Sequence, residues 1–308
     1  METNRIEFQR KRDFGEILNA TFAFFRQNFK SFATSILVVA GPFFLLYGIL
    51  YGLMMTSYFD FFGGMMKDMT SGSFGSSYPS TMFPGDFMLY YLLLLVNQVI
   101  YYAAVAGGTY GYINLYIKKG SGEITPSEVW NEFRKRFWKL LGSTFIVGLL
   151  SLIGAYCCCI PGIYLFTSLS LIFMLVVYED KDFGNAFSRS FNLTHKQWWN
   201  TLLLLIVIFL IITFTMAIFS LPVIIIALSN IKGFVNDLFY GESGIPWVWI
   251  AIFGIIYGLI SLILYTLPFI TMAFQYFNIV ETHESQSMMN KIEQISPDDQ
   301  NPADSSGN

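Results

Sequence analysis

The strongest constraint on this chain is the recurrence of apolar runs longer than about 18 residues, too long for a globular core and matched to a membrane-crossing helix. The clearest runs from Trp199 to Leu228 without a single charged residue. Reading the rest in the same way gives six candidate spans: Phe32 to Met55, Phe87 to Ile117, Phe137 to Cys159, Gly162 to Tyr178, Trp199 to Leu228 and Trp247 to Phe277. About 20 residues cross the roughly 30 Å hydrocarbon layer, so the fourth span is short, and the second, fifth and sixth can tilt or project. Helices are expected throughout, because open strand edges leave backbone groups unpaired in lipid. Composition agrees: 54% of the 308 residues are hydrophobic and 13% charged, against about 25% charged in soluble proteins. The expected fold class is therefore an all-α integral membrane protein with six transmembrane helices.

Orientation follows from Lys and Arg. Arg5, Arg10, Lys11, Arg12, Arg26 and Lys30 precede the first span, and Lys118, Lys119, Arg134, Lys135, Arg136 and Lys139 lie in or beside the second connection. Lys181, Arg189 and Lys196 occupy the fourth, while the opposite side has only Lys67 and Lys232. The positive-inside rule then places both termini in the cytoplasm. Residues 1–12 read as a basic cytoplasmic segment with no signal-peptide core after it, so the N-terminus is expected to be retained. Residues 13–284 read as the membrane domain and 285–308 as a polar, largely disordered tail, where Glu293, Asp298, Asp299 and Asp304 face the single Lys291. The net charge of -3 excludes the basic surface of a nucleic-acid binder.

A shorter amphipathic segment with its own start signal precedes the first, third and fifth spans. Asp13 with Glu16, Thr125-Pro126-Ser127-Glu128, and Asp182 are the caps. Aromatics then recur at helical spacing, as in Phe14, Phe22, Phe25 and Phe29; Trp130, Phe133 and Phe137; and Phe183, Phe187, Phe191 and Trp198. Polar residues take much of the other face, the pattern of a helix lying in the membrane interface. Asp13-Phe14-Gly15 reappears as Asp182-Phe183-Gly184, and Asn131, Phe137-Trp138 and Pro161 align with Asn192, Trp198-Trp199 and Pro222. Three units are expected, about 13–117, 125–178 and 182–277, each an interfacial helix followed by a transmembrane hairpin. Duplication explains the pattern; convergence on the aromatics and bases suited to an inner face is the alternative.

Ile160-Pro161-Gly162, a span ending Val176-Val177-Tyr178-Glu179, then Ala186, Arg189-Ser190-Phe191 and Trp198-Trp199 together resemble the glycerophosphoryl diester phosphodiesterase membrane-domain family and its uncharacterised bacterial multi-pass relatives. The resemblance is clearest over residues 160–210. It implies a six-helix module of the bacterial cytoplasmic (inner) membrane, sometimes joined to a soluble phosphodiesterase domain for which this chain has no room.

Candidate chemistry is sparse, and no catalytic, cofactor-binding or metal-ligating set is expected. His195 and His283 are the only histidines, and Cys157-Cys158-Cys159 has no partners at zinc-like spacing. No ionisable residue lies near the centre of a span, where an ion path would show itself. Asn97, Gln98, Gln275 and Asn278 are expected to hydrogen-bond between helices. The candidate lipid-headgroup or partner contacts are Arg134, Lys135, Arg136, Glu179, Arg189 and Lys196, with Arg189 able to fork onto a phosphate. Glu179, Asp180 and Asp182 have a structural alternative, in which Glu179 ends a span and Asp182 caps the next helix. Small residues at Ala103, Gly107 and Gly111 and at Gly254 and Gly258 predict close helix packing, and Pro161, Pro222 and Pro268 predict breaks or kinks. The expected function is a non-catalytic, lipid-contacting scaffold or partner-binding module that meets anionic headgroups and a membrane or cytoplasmic protein. A small transporter or lipid-moving protein is the alternative.

Overall fold

A computed structural model of the chain describes residues 6–70, 85–120, 123–157, 159–229 and 247–295, and among these residues all regular structure is helical. The helices are α1 (Phe14–Thr70), α2 (Gly85–Lys119), α3 (Pro126–Cys157), α4 (Cys159–Leu169), α5 (Ile172–Tyr178), α6 (Phe183–Lys196), α7 (Trp198–Ser229), α8 (Trp247–Leu264) and α9 (Leu267–Ile295). Six stretches within them are long and apolar enough to cross a membrane: Phe14–Met65, Gly85–Lys119, Pro126–Tyr156, Ile160–Tyr178, Trp198–Pro222 and Ile252–His283. Leu45, Ile49, Val96, Phe214 and Ile218 are exposed on them. Leaving such side chains outward is costly in water and neutral in lipid.

The sequence signals explain the helix starts. Asp13 N–H donates to Glu16 Oε2 at 3.1 Å and Thr125 N–H to Glu128 Oε2 at 3.1 Å, the reciprocal half of a capping box in both cases. Contrary to expectation, the amphipathic stretches after these caps are not separate helices: α1 and α3 run on unbroken into their apolar parts. No glycine or proline falls at the joins around residues 30 and 137, so nothing interrupts the backbone ladder. Only α6 stands apart, ending at Gln197 with φ -133° and ψ 36°. At 57 residues, α1 is about 85 Å long at 1.5 Å per residue. It continues past Met55, where the first span is expected to end, to Thr70, and residues 71–84 lie outside the described residues. Lys232 is also outside them, as is the tail from residue 296. Helix α9 runs to Ile295, so the first part of the expected tail is helical.

Two expected spans are each split. The fourth breaks between Leu169 and Ile172, where Ser190 Oγ donates to Ser168 O at 2.6 Å and Thr194 Oγ1 to the same oxygen at 3.4 Å. Side chains from α6 thus satisfy a carbonyl that the break leaves without an intrahelical donor. The sixth breaks between Leu264 and Leu267. The Pro268 ring would clash with the carbonyl four residues back, which belongs to Leu264, the last residue of α8. Pro268 therefore lies in the first turn of α9, where its missing N–H costs nothing. Pro161 likewise lies in the first turn of α4, whereas Pro42 and Pro222 are inside α1 and α7.

Helices α1 and α2 run antiparallel, as Gly108 against Val39, Asn97 against Phe43 and Phe24 against Tyr116 show. A Cβ on Gly107 would come 2.6 Å from both Leu140 and Phe133, and one on Gly258 would come 2.5 Å from Phe44. Ala103, four residues before Gly107, is fully buried. Gly111 has only ordinary contacts, the nearest at 3.6 Å, and Gly254 has open space within 4 Å. Among the described residues, then, no neighbour packs against Gly254. The tightest backbone approach was not anticipated: a Cβ on Gly154 would come 2.9 Å from Gly162 Cα, and one on Gly162 2.8 Å from Ala155 N. Those glycines let α3 and α4 cross almost backbone to backbone.

The core is richest in aromatics at the end where the chain begins. Phe8, which precedes α1, is 3% exposed. Its ring stacks on Phe274 with centroids 4.3 Å apart and meets Phe24, Tyr116 and Phe277 edge-on. Ile6 N–H donates to Tyr116 OH at 3.3 Å and Arg12 N–H to Asn278 Oδ1 at 2.9 Å. The described part of the expected basic N-terminal segment is thus docked into the bundle rather than trailing from it.

Candidate functional site

Helix α5 ends where Glu179 N–H donates to Leu175 O at 3.1 Å. Asp180 then takes φ 51°, a left-handed conformation that Asp tolerates better than most residues, and the chain turns into α6. Asp182 holds the N-cap position of α6, but no side-chain cap hydrogen bond forms. Its carboxylate pairs instead with Lys139 Nζ at 3.0 Å. The turn therefore presents three carboxylates to three different sets of partners.

Glu179 is the most engaged. Its carboxylate accepts from Lys181 Nζ at 2.8 Å, Arg189 Nε at 2.9 Å and Tyr276 OH at 2.5 Å. Burial pushes its pKa up, but the donors from Lys181, Tyr276 and Arg189 outweigh that and hold it below the usual carboxylate value. Asp180 lies 3.4 Å from Arg136 Nε and 3.5 Å from Lys139 Nζ, the former a charge contact without hydrogen-bond geometry. Arg136 also pairs with Glu132. These contacts tie α3, α6 and α9 to one turn.

Of the residues expected to form the site, Glu179 and Arg189 meet directly, and Arg136 joins them through Asp180. Lys135 pairs with Glu132 at 3.2 Å and Arg134 is exposed on α3. Arg189 is committed to Glu179 rather than sharing an ion pair with Asp182, although Asp182 and Arg189 lie two turns apart on one helix. Lys196 and Arg189 line a cleft of about 540 Å³ beside the turn.

The cleft wall is one face of α6. Ser188 and Arg189 each lie three or four residues from Asn185 and from Asn192, and Lys196 follows Asn192 by four, which places all five on one stripe. Lys181 continues the stripe toward the turn, and His283 faces it from α9. No carboxylate is among the described lining residues. The buried face of α6, Ala186, Ser190, Leu193 and Thr194, packs on the broken fourth span. Between the two runs the ring row Phe183, Phe187 and Phe191, with centroids 5.9 and 4.9 Å apart, half-buried and at the helix flank. His195 is exposed on α6 and outside the cleft lining; the histidine in the cleft is His283, which only the tertiary fold brings there. Asn185 and Asn192 were legible as part of the polar face of α6. Among the described residues no three His, Cys, Asp or Glu side chains gather at metal-binding distance.

Residues 85–267 match the domain of unknown function DUF7847, and the chain belongs to that family. The match does not extend to the glycerophosphoryl diester phosphodiesterase membrane-domain family. No curated protein and no solved structure matches the chain.

Proposed function

We propose that this chain is a non-catalytic scaffold of the bacterial cytoplasmic membrane that binds anionic lipid headgroups in the cleft between α6 and α9. In this reading the six spans form three hairpins with both termini in the cytoplasm, and the amphipathic starts of α1 and α3, together with α6, lie at the cytoplasmic interface. The observation that carries it is the cleft lining: Lys196 and His283, with Lys181 and Arg189, which also hold Glu179, and amide donors between them, and no carboxylate among the described lining residues. Trp138 and Trp199, 79% and 76% exposed, sit near the starts of the apolar parts of α3 and α7, where indole rings favour the headgroup level. The polar turn at residues 179–182 is the surface offered to a protein partner. Kinship with the phosphodiesterase membrane domains belongs to the same reading and rests on the motifs between Ile160 and Trp199.

The test is lipid retention in nanodiscs containing phosphatidylglycerol. Each base near a charged surface contributes on the order of 1 kcal/mol, about a fivefold change in affinity. Lys196→Glu should therefore lower retained anionic lipid at least fivefold without lowering yield. Unchanged retention would remove the support for the cleft.

A second reading, a lipid-moving protein, is favoured by the two split spans. The breaks after α4 and α8 bring Phe173 and Phe269 together, ring centroids 6.2 Å apart, and interrupted spans at corresponding positions are a feature of transporters. Proteoliposomes carrying a fluorescent lipid distinguish the two: flipping above protein-free vesicles favours movement, and its absence favours the scaffold.

A further inference from the structure

A second cavity, sharing no lining residue with the cleft, lies between the N-terminal segment, the first turn of α7 and the far face of α9. Its volume of about 190 Å³ equals roughly six waters at 30 Å³ each. Four amides face it, Gln197, Asn200, Gln275 and Asn278. Gln275 is fully buried, and its Nε2 donates to Thr201 Oγ1 at 3.1 Å and Gln197 Oε1 at 3.3 Å. Its Oε1 is buried with no donor. A buried amide oxygen without a donor costs about 1–3 kcal/mol, so the site is short of a hydrogen-bond donor.

Charges of both signs border the same space. Exposed Lys11 supplies an ammonium and Asp13 a carboxylate, both among the lining residues. Arg12 lines it too, although its guanidinium donates back to the Glu7, Phe8 and Arg10 carbonyls and lies 5.1 Å over the Phe274 ring. Burial first, and the Arg10 charge second, lower the Arg12 pKa against the opposing Glu16 and Glu7 charges. The first turns of α1 and α7 both contribute residues, Phe14 and Asn200, so two positive dipole ends reinforce the affinity for an anion. A ligand that satisfies all of this has a phosphate for Lys11 and the helix starts and a primary ammonium for Gln275 Oε1 and Asp13.

We infer that the cavity formed by Lys11, Asp13, Gln197, Asn200, Gln275 and Asn278 binds a phosphoethanolamine group, either as a lipid headgroup or as the free phosphate ester. N-methylation is the sharpest discriminator, because a trimethylammonium keeps the charge and loses every N–H that the Gln275 oxygen requires.

The test uses the full chain in nanodiscs of phosphatidylcholine with or without phosphatidylethanolamine. Native mass spectrometry reads retained lipid, and hydrogen exchange reads the Arg12 amide at the cavity rim. Phosphatidylethanolamine should be retained about tenfold over phosphatidylcholine, as one hydrogen bond to a charged group warrants, and should slow Arg12 exchange. Asp13→Asn keeps a good N-cap and Lys11→Gln is a surface change, so both variants should fold and lose most of that preference. Lys196→Glu, in the other cleft, should keep it, so failure at one site leaves the other reading intact. Free phosphoethanolamine at millimolar concentration is the second arm. Slowing of Arg12 exchange by it alone supports the site with a soluble ligand, and slowing by the lipid alone supports it with a headgroup. Equal retention of the two lipids with no effect of the free ester, or wild-type behaviour of both Asp13→Asn and Lys11→Gln, would overturn the inference.

Discussion

Removing the Phe8 ring should release the N-terminal segment while leaving the bundle folded. Phe8 is 3% exposed and stacks on Phe274 at an interplanar angle of 4°. Burying such a side chain contributes about 1.5–3 kcal/mol, and its aromatic pairs about 0.5–1.5 kcal/mol more. Phe8→Ala should thus lower the free energy of opening the segment by about 3 kcal/mol, which raises the open population roughly 150-fold. The segment precedes α1 and can swing away, so the penalty falls on local opening rather than on the whole core.

Hydrogen exchange at the Arg12 amide reads this directly, because that N–H donates to Asn278 Oδ1 only while the segment is docked. In Phe8→Ala its exchange should accelerate by about two orders of magnitude, while amides in the buried part of α2 change little. Phe8→Leu, which keeps much of the apolar volume, should fall between the two. Acceleration below threefold would refute the anchoring argument. Equal acceleration throughout α2 would show that Phe8 supports the core itself.

Gly154→Ala and Gly162→Ala should each destabilise by at least about 1–3 kcal/mol through overpacking, whereas Gly254→Ala should leave the melting temperature in detergent unchanged or slightly raised, since a Cβ there meets nothing within 4 Å among the described residues. Glu179→Gln should lower the melting temperature at neutral pH, two charged donors losing a partner worth about 1.5–3 kcal/mol. Because the folded pKa of Glu179 is held below its ordinary value of 4.5, the wild type keeps that stability above pH 4.5 and loses it as pH falls through the folded value. The difference between wild type and Glu179→Gln should therefore close in acid, and a constant difference would discount the ion pairs. Impermeant thiol labelling of a chain cleared of Cys157, Cys158 and Cys159 should reach a cysteine at Gly64 from outside intact cells and fail at Arg134, and the reverse pattern would invert the topology.

What was legible in the sequence is what a local period or cap determines. The six apolar stretches announce themselves by length, Glu16 and Glu128 by their three-residue spacing from Asp13 and Thr125, and the α6 stripe by steps of three and four. The split of the sixth span was legible too, because Pro268 forbids the Leu264 carbonyl its usual place. The split of the fourth was not, since it depends on the Ser190 and Thr194 hydroxyls meeting Ser168 from another helix. Continuity of α1 and α3 was hidden for the opposite reason. An amphipathic start and an apolar continuation are chemically different surfaces on one unbroken backbone, and the surfaces alone do not mark where a helix ends.

The two polar basins show the same division on one helix. Gln275, Asn278 and Thr282 line the small cavity and His283 the larger cleft, so α9 is the wall between them. Nothing in the local sequence assigns these faces, because a polar residue near a helix end satisfies itself equally well in water. What assigns them is chain of great sequence separation: Phe8 and Arg12 from the start of the protein close one side, and Glu179, bonded to Tyr276 across 97 positions, closes the other. The last helix is therefore held from both sides by polar contacts to segments outside the apolar spans. A ligand in either basin works against that fixed wall, and it gains affinity from groups already in place rather than from groups it must order.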